Sequence, residues 1–353
     1  MTISNRLPYE VLLHEQTWVD LSNYLNQLIN QSVLPGAYLQ YQIQIAGIED
    51  LSILDLRQFL NLLLRTKKPQ IFAEMAVSGD GSDWSRQELK ILGDIGVACK
   101  VTIFDDGRHQ NPNVHDVPFE GHLLFTAGAL LRNGRKQTPA DWDVVNDEGQ
   151  IDPERYYALY ERRLLPLLLY ANDQCKKDNK KAVVTIPGLG CGQFAGRFIG
   201  QLGEKLEAVL LRILSQYRSQ LDYIELVYFD AYQECTPKTV DIDGLAFIVN
   251  PLTKSTIKLN QLSYPNLFVN REYSDTLLLF SLVAWDHVSW PGNDFYEGAR
   301  ATDDGVKAAA TNSMQAMTGV AGNYDANRHC YLPPKPYKTW SEVVKHSKVI
   351  LSS

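Results

Sequence analysis

Apolar and polar positions alternate along this chain in two rhythms, one helical and one extended, and they define most of its elements. Leu12, Trp18, Leu21, Tyr24, Leu25 and Leu28 recur on one face of a helix expected over 9–31, which Pro35-Gly36 stops. Residues 38–45 alternate apolar and polar, which predicts a strand. Residues 53–64 return to helical spacing and end at Lys67-Lys68-Pro69. A short strand is expected over 71–77. A turn at 79–83 follows, and Ser82 or Asp83 is expected to cap a helix over 84–95. The run 97–104 predicts a strand that ends at Asp105-Asp106-Gly107, and 123–131 is apolar around Gly128. Residues 141–147 read as a polar turn. Asp152-Pro153-Glu154 is a helix start, and Pro166 is expected to kink that helix. Strands are expected at 182–186, 224–229, 245–249 and 277–284. A helix carrying Leu202, Leu206, Val209, Leu210, Ile213 and Leu214 separates the first two, which makes a right-handed crossover between parallel strands.

The strand at 182–186 breaks at Pro187 into four glycines within nine residues, Gly188, Gly190, Gly192 and Gly196. Strand, glycine loop and helix can build an anion site, because bare backbone N–H groups approach a phosphate and the helix dipole adds to them. The same pattern also serves as a plain tight connection.

Composition narrows the partners. The chain has 353 residues, 34 Lys plus Arg against 41 Asp plus Glu, and a net charge of −7. A general nucleic-acid surface needs a basic face, so that class is disfavoured. A phosphate pocket built from backbone groups is not. The five cysteines are widely spaced, with no Cys-x-x-Cys and no Cys/His zinc spacing, so free thiols in a reducing compartment are expected. No apolar run approaches the roughly 20 residues of a membrane span, and the amino end lacks a signal-peptide core. Cytosolic residence is expected, in the producing cell or after delivery into a host. His115 and His122 read as surface or hydrogen-bonded histidines. The basic run 132–136 reads as solvated surface or as the rim of an anion site.

The last strand runs into a second unusual stretch, 284–305. Asp286, Asp294, Asp303 and Asp304 sit there among Trp285, Trp290, Asn293, Phe295 and Tyr296. Carboxylates beside aromatic residues in a loop suit a concave, wet site. A helix is expected over 305–317, capped by Thr302 or Asp303. Asp304 would lie in its first turn, where the dipole favours the ionised form.

The segment Pro187-Gly-Leu-Gly-Cys-Gly-Gln-Phe-Ala-Gly196, with the helix and strand after it, resembles the phosphate-loop unit of macrodomains. Asp286, Asp294 and Asp304, spaced eight and ten apart in a Trp-Asp-His, Gly-Asn-Asp and Thr-Asp-Asp-Gly context, resemble the MavL-type macrodomain family of bacterial effectors. The resemblance covers about residues 100–335. It implies an α/β fold: a three-layer α/β/α macrodomain-like mixed sheet over 96–353, with a mainly helical N-terminal extension over 1–95 packed on it. It also implies ADP-ribose binding and hydrolysis of ADP-ribose from protein arginine side chains, with ubiquitin as the modified partner. Gly188, Leu189, Gly190, Cys191, Gly192, Gln193 and Phe194 would then cradle the diphosphate, with Phe194 against the distal ribose. Asp230 and Tyr232 would lie near the adenine, and Asn293 would complete the binding set. Asp286, Asp294 and Asp304 would surround the ribose–guanidinium linkage. No cofactor and no metal are implied. The Asn-Ala-Ala-Asn signature and the paired-glutamate glycohydrolase pattern of other macrodomains are missing, which disfavours removal from aspartate or glutamate and cleavage of polymer.

Other classes stay open on the residues alone. A reader that binds ADP-ribose without cutting it would use the same loop. A metal-dependent nucleotide hydrolase would use the aspartates to hold Mg²⁺. A different nucleotide-using α/β enzyme could share the loop by coincidence.

Overall fold

In the computed structural model, residues 8–73, 83–251, 258–272 and 275–347 are described. The chain opens on strand β1 (Tyr9–Leu12), then helices α1 (Glu15–Ile29), α2 (Ala37–Ile45), α3 (Leu56–Leu64) and α4 (Arg86–Gly93). Strands β2 (Gly96–Asp105) and β3 (Val114–Ala127) follow as an antiparallel pair. A short helix α5 (Trp142–Val145) and a hairpin of β4 (Asn146–Asp147) and β5 (Gln150–Ile151) lead to the long helix α6 (Pro153–Asp178). Then come β6 (Lys181–Pro187), α7 (Gly203–Gln216), β7 (Ile224–Asp230), β8 (Lys238–Ile242) and β9 (Leu245–Val249). Helix α8 (Pro265–Phe268), β10 (Leu277–Trp285), α9 (Asp303–Ala310) and α10 (Ser313–Thr318) carry the chain on. Hairpin strands β11 (Asn323–Asp325) and β12 (Cys330–Leu332) and helix α11 (Trp340–Ser347) close it.

Eight strands form one mixed sheet in the order β1-β2-β3-β10-β6-β7-β9-β8. The central strands β3, β10, β6, β7 and β9 run parallel, so their carboxyl ends emerge along one edge. Strand β10 shows how the layers arise. Leu279 and Val283 pack with the amino-terminal helices and α9 and α10, while Leu278, Phe280 and Leu282 pack with α6 and α7. Alternate side chains point to opposite faces, so a strand apolar at nearly every position must be covered on both. Each such side chain contributes about 1.5–3 kcal/mol on full burial. The result is the three-layer α/β/α arrangement. The β6–α7–β7 crossover joins parallel neighbours, as its spacing predicts.

Several local expectations are corrected. Residues 9–12 do not begin the first helix. They pair antiparallel with β2, Tyr9 opposite Cys99, and add an edge strand to the main sheet. Residues 38–45 are helical, not extended. The sheet edge beside β2 is already occupied by β1, and the segment packs against α3, with Tyr38 edge-on to Trp84 at 4.6 Å. The α4 cap is Ser85, in a reciprocal pair with Glu88, rather than Asp83, whose side chain accepts from the Trp84 amide; such a cap is worth about 1 kcal/mol. Ser82 and most of the strand expected at 71–77 lie outside the described residues. Asp141 is not a solvated turn residue but fully buried. Helix α6 continues through Pro166 to Asp178. The helix expected over 305–317 divides at Thr311, which is extended because it bridges to Ile103 while Asn312 exchanges hydrogen bonds with Thr102.

Candidate functional site

Four parallel strands deliver the site. β3 ends just before Gly128, β6 at the glycine loop, β7 just before Tyr232 and β10 just before Asp286. Ligands bind at the carboxyl edge of such sheets. A cleft of about 490 Å³ lies there, within the range of small-ligand sites. Its walls include Gly188, Gly190, Gly192, Gln193, Phe194 and Tyr232 on one side, and Trp285, Asp286, Asn293, Asp303 and Asp304 on the other. A larger cleft of about 720 Å³ lies between α1, α4 and α6, but mostly half-buried charged side chains of both signs line it and no glycine loop reaches it.

The glycine loop is folded to present amides. The N–H groups of Leu189, Cys191 and Ala195 turn back on the carbonyls of Pro187, Gly188 and Gly192. Those of Gly190, Gly192, Gln193 and Phe194 have no acceptor among the described residues. Gly190 has φ +72°, and a Cβ there would sit 2.8 Å from the Ala129 nitrogen, so only glycine fits. Leu189 and Cys191 are fully buried and face away from the cleft. The Cys191 thiol is pushed up by burial, so it anchors the loop as an apolar side chain. Phe194 holds the loop to the β3 end, its carbonyl accepting from the Leu131 amide at 2.8 Å. Arg132 of the basic run donates to Gln193 Oε1, which brings one cation of that run to the cleft mouth.

The carboxylates divide by environment. Asp286 Oδ1 accepts from the amides of Val288 and Ser289 at 2.8 and 2.6 Å, and Oδ2 accepts from Asn293 Nδ2 at 3.1 Å. Burial pushes its carboxyl up, and the hydrogen bonds from Ser289 and Val288 together with nearby Lys67 act against that. Asp304 accepts from the amides of Gly292 at 2.7 Å and Asn293 at 3.2 Å. Burial raises Asp304 well above the ordinary carboxylate range, and the charges of Asp286, Asp294 and Asp303 add to that. The expectation that the helix dipole keeps Asp304 ionised is therefore overturned: desolvation beside three other carboxylates outweighs a first-turn position.

Asp294 does not reach the cleft wall. Its carboxylate turns inward and accepts from the amides of Ala301 and Thr302 at 2.9 and 3.1 Å and from Thr302 Oγ1 at 2.6 Å. It thereby clamps the loop 294–302 onto the start of α9. Gly305 permits this approach, since a Cβ there would fall 1.9 Å from Asp294 Oδ1. Thr302, as expected, caps α9, accepting from the Gly305 amide. Asp303 lines the cleft instead. It accepts from the Ala284 amide at 2.8 Å and pairs with Lys307 at 3.2 Å. Asp230 is also off the wall, tied to Gln261 at 2.9 Å and Lys258 at 2.5 Å.

Sequence reasoning missed Phe72, His109 and Thr302 as cleft-lining residues, while Trp285 and Asp303, named in the acidic stretch but given no role at the linkage, line it as well. The acidic pair at the end of β2 does not enter the cleft. Asp105 binds Arg300 through both oxygens, at 2.7 and 2.9 Å, and Asp106 binds Asn113 and Asn260, which holds the loop carrying His109 at the rim. His115 and His122 are hydrogen-bonded, to the Leu262 carbonyl and the Tyr170 hydroxyl respectively.

Behind the cleft lies a buried ionic cluster. Arg163 donates to Asp94 at 2.8 Å, to both oxygens of Asp141 and to the Gly128 carbonyl, while His287 Nε2 lies 3.1 Å from Asp141. Burial alone would raise Asp141, but Arg163 and His287 outweigh it and hold the carboxyl far below its usual range. The cluster joins α4, α6 and the β3 end to the residue that follows Asp286.

A family model described as macrodomain effector MavL matches residues 9–337, including most of the amino-terminal hundred residues that the motifs alone left unmatched. No curated protein matches the chain. The match spans nearly the whole chain and agrees with the α/β/α sheet and its carboxyl-edge cleft: the protein belongs to the MavL macrodomain effector family.

Proposed function

We propose that the protein is an ADP-ribosylhydrolase that binds ADP-ribose and cleaves the N-glycosidic bond joining it to protein arginine side chains. The supporting observation is that Asp286, Asp303 and Asp304 line the same cleft as the glycine loop. In this reading the amides of Gly190, Gly192, Gln193 and Phe194 hold the diphosphate. Phe194 packs against the distal ribose, and Tyr232, lying across Gly188 and Gly192, stands beside the nucleoside. Asn293 belongs to the binding set, and Leu189 and Cys191 support it from beneath.

The scissile bond joins C1″ of the distal ribose to a guanidinium nitrogen. Water oxygen bonds to C1″, the C–N bond breaks, and its electron pair leaves on the nitrogen. The proton released by water passes to a carboxylate and on to the departing guanidine. Positive charge builds on the ribose in the transition state, and carboxylates stabilise it. Asp304, whose carboxyl is raised by burial, is suited to hold that proton in transit. Asp286 and Asp303 face the cationic linkage, and Asp294 holds the loop that sets them. Planar guanidinium pairs well with carboxylates, which favours an arginine linkage over an ester.

The substrate class is a mono-ADP-ribosylated protein, with arginine-modified ubiquitin the first candidate from the family resemblance. The place of action is the cytosol, the host's if the protein is delivered. The test is release of ADP-ribose from proteins modified separately on arginine, glutamate and serine. Release from the arginine substrate alone is expected.

A further inference from the structure

The segment 66–72, more than 200 residues before the acidic loop, is built into the wall of the cleft. The Lys68 amide donates to the Val288 carbonyl at 2.8 Å, and the Trp290 amide donates to the Lys68 carbonyl at 2.7 Å. Ile71 donates its amide to Asn293 Oδ1 at 3.0 Å. That bond fixes which way the Asn293 amide faces, so its Nδ2 is the group turned to Asp286. Phe72, next in the chain, lines the cleft itself.

Lys67 is the buried one of the segment's two lysines, 3 % exposed. Its Nζ donates to the His287 carbonyl at 2.7 Å and lies over the Trp285 ring, 4.0 Å from the centroid. The ammonium thus grips the residues on both sides of Asp286. A buried lysine without a purpose is expensive, and an alkyl side chain would fill the space without a charge. Burial pushes Lys67 down to about 7 and pushes Asp286 up, and each charge partly offsets the other's shift.

We infer that Lys67 is a positioning residue of the hydrolytic site, holding the 285–287 backbone and balancing the charge of Asp286 while the substrate's cationic linkage is bound and cut. The inference rests on the hydrolase reading. Lys67 does not line the cleft, so it acts through Asp286. Removing its charge should alter turnover more than nucleotide affinity.

The experiment compares wild type, Lys67→Met and Lys67→Arg in the full chain. It measures kcat and KM for an arginine-ADP-ribosylated protein, Kd for ADP-ribose and the thermal midpoint. Lys67→Met should lose about tenfold or more in kcat, with ADP-ribose Kd within about threefold, and Lys67→Arg should recover part of the loss. Unchanged kcat in Lys67→Met would overturn the inference. So would a parallel loss of kcat, ADP-ribose affinity and thermal midpoint, or failure of Lys67→Met to fold, since either assigns Lys67 to stability alone. A wild type that binds ADP-ribose and releases none removes the hydrolase reading, and this inference with it. That result is distinct from an active wild type matched by an equally active Lys67→Met.

Discussion

Asp286 and Asp304 are coupled through a single residue: Asn293 donates its side-chain amide to Asp286 at 3.1 Å and its backbone amide to Asp304 at 3.2 Å. The two carboxylates come from the end of β10 and the first turn of α9. Neither can shift without disturbing the same short loop. The coupling separates what each aspartate should do when it is changed.

Asp304→Asn removes a proton-carrying group and keeps the shape. Turnover on an arginine-linked substrate should fall by about a hundredfold or more, while ADP-ribose affinity measured by calorimetry stays close to wild type. Stability should respond to pH with a definite sign. The folded carboxyl binds its proton more tightly than the unfolded one, whose ordinary value is near 3.8. Above that value the folded state holds the extra proton, so stability falls as pH rises toward the folded pKa. Thermal midpoints scanned upward from about pH 4 should show a shallower decline in Asp304→Asn than in wild type.

Asp294→Ala should behave differently. Three donors, from Ala301 and Thr302, would lose a buried charged acceptor. A cost on the order of 3 kcal/mol is expected, read as a lower urea midpoint. Turnover and ADP-ribose binding should fall together, because the 294–302 loop carries Thr302 and leads into α9. A stable, binding-competent but inactive Asp294→Ala would instead place that carboxylate at the reaction centre.

The division between what could and could not be read in advance follows from where each signal sits. The glycine loop was legible because residue type alone dictates its backbone, as the φ of Gly190 shows. The parallel core was legible because β10 is apolar at nearly every position. That Asp303 joins Asp304 on the cleft wall while Asp294 turns inward depends on the phase of α9 and on Gly305, and no local pattern encodes that. Residues 38–45 misled because two of their apolar positions, Tyr41 and Ile45, are exposed, while burial falls at 38, 39, 42 and 43, a helical spacing that the residue types do not show. The role of residues 66–72 was invisible because their partners lie at 287–293.

Gly190→Ala tests the loop alone. The substitution forces a side chain into a φ of +72° and against Ala129. Strain of about 1–3 kcal/mol should weaken ADP-ribose binding by roughly tenfold or more. Circular dichroism should report an unchanged fold, because the loop lies beyond the end of β6.

Arg163→Ala tests the cluster behind the cleft. It would leave Asp141 buried without its guanidinium partner and Asp94 with Arg162 alone. Loss of one partner from a buried ion pair costs about 3–5 kcal/mol, so chemical denaturation should show a large fall in stability. Ligand near saturation should recover only part of it.

The most direct measurement of the central claim is ADP-ribose release from three otherwise matched proteins, modified on arginine, glutamate or serine. The account predicts release from the arginine-linked protein, abolished in Asp304→Asn, and none from the other two. Tight ADP-ribose binding with no release from any of them would contradict it and leave a reader domain in its place.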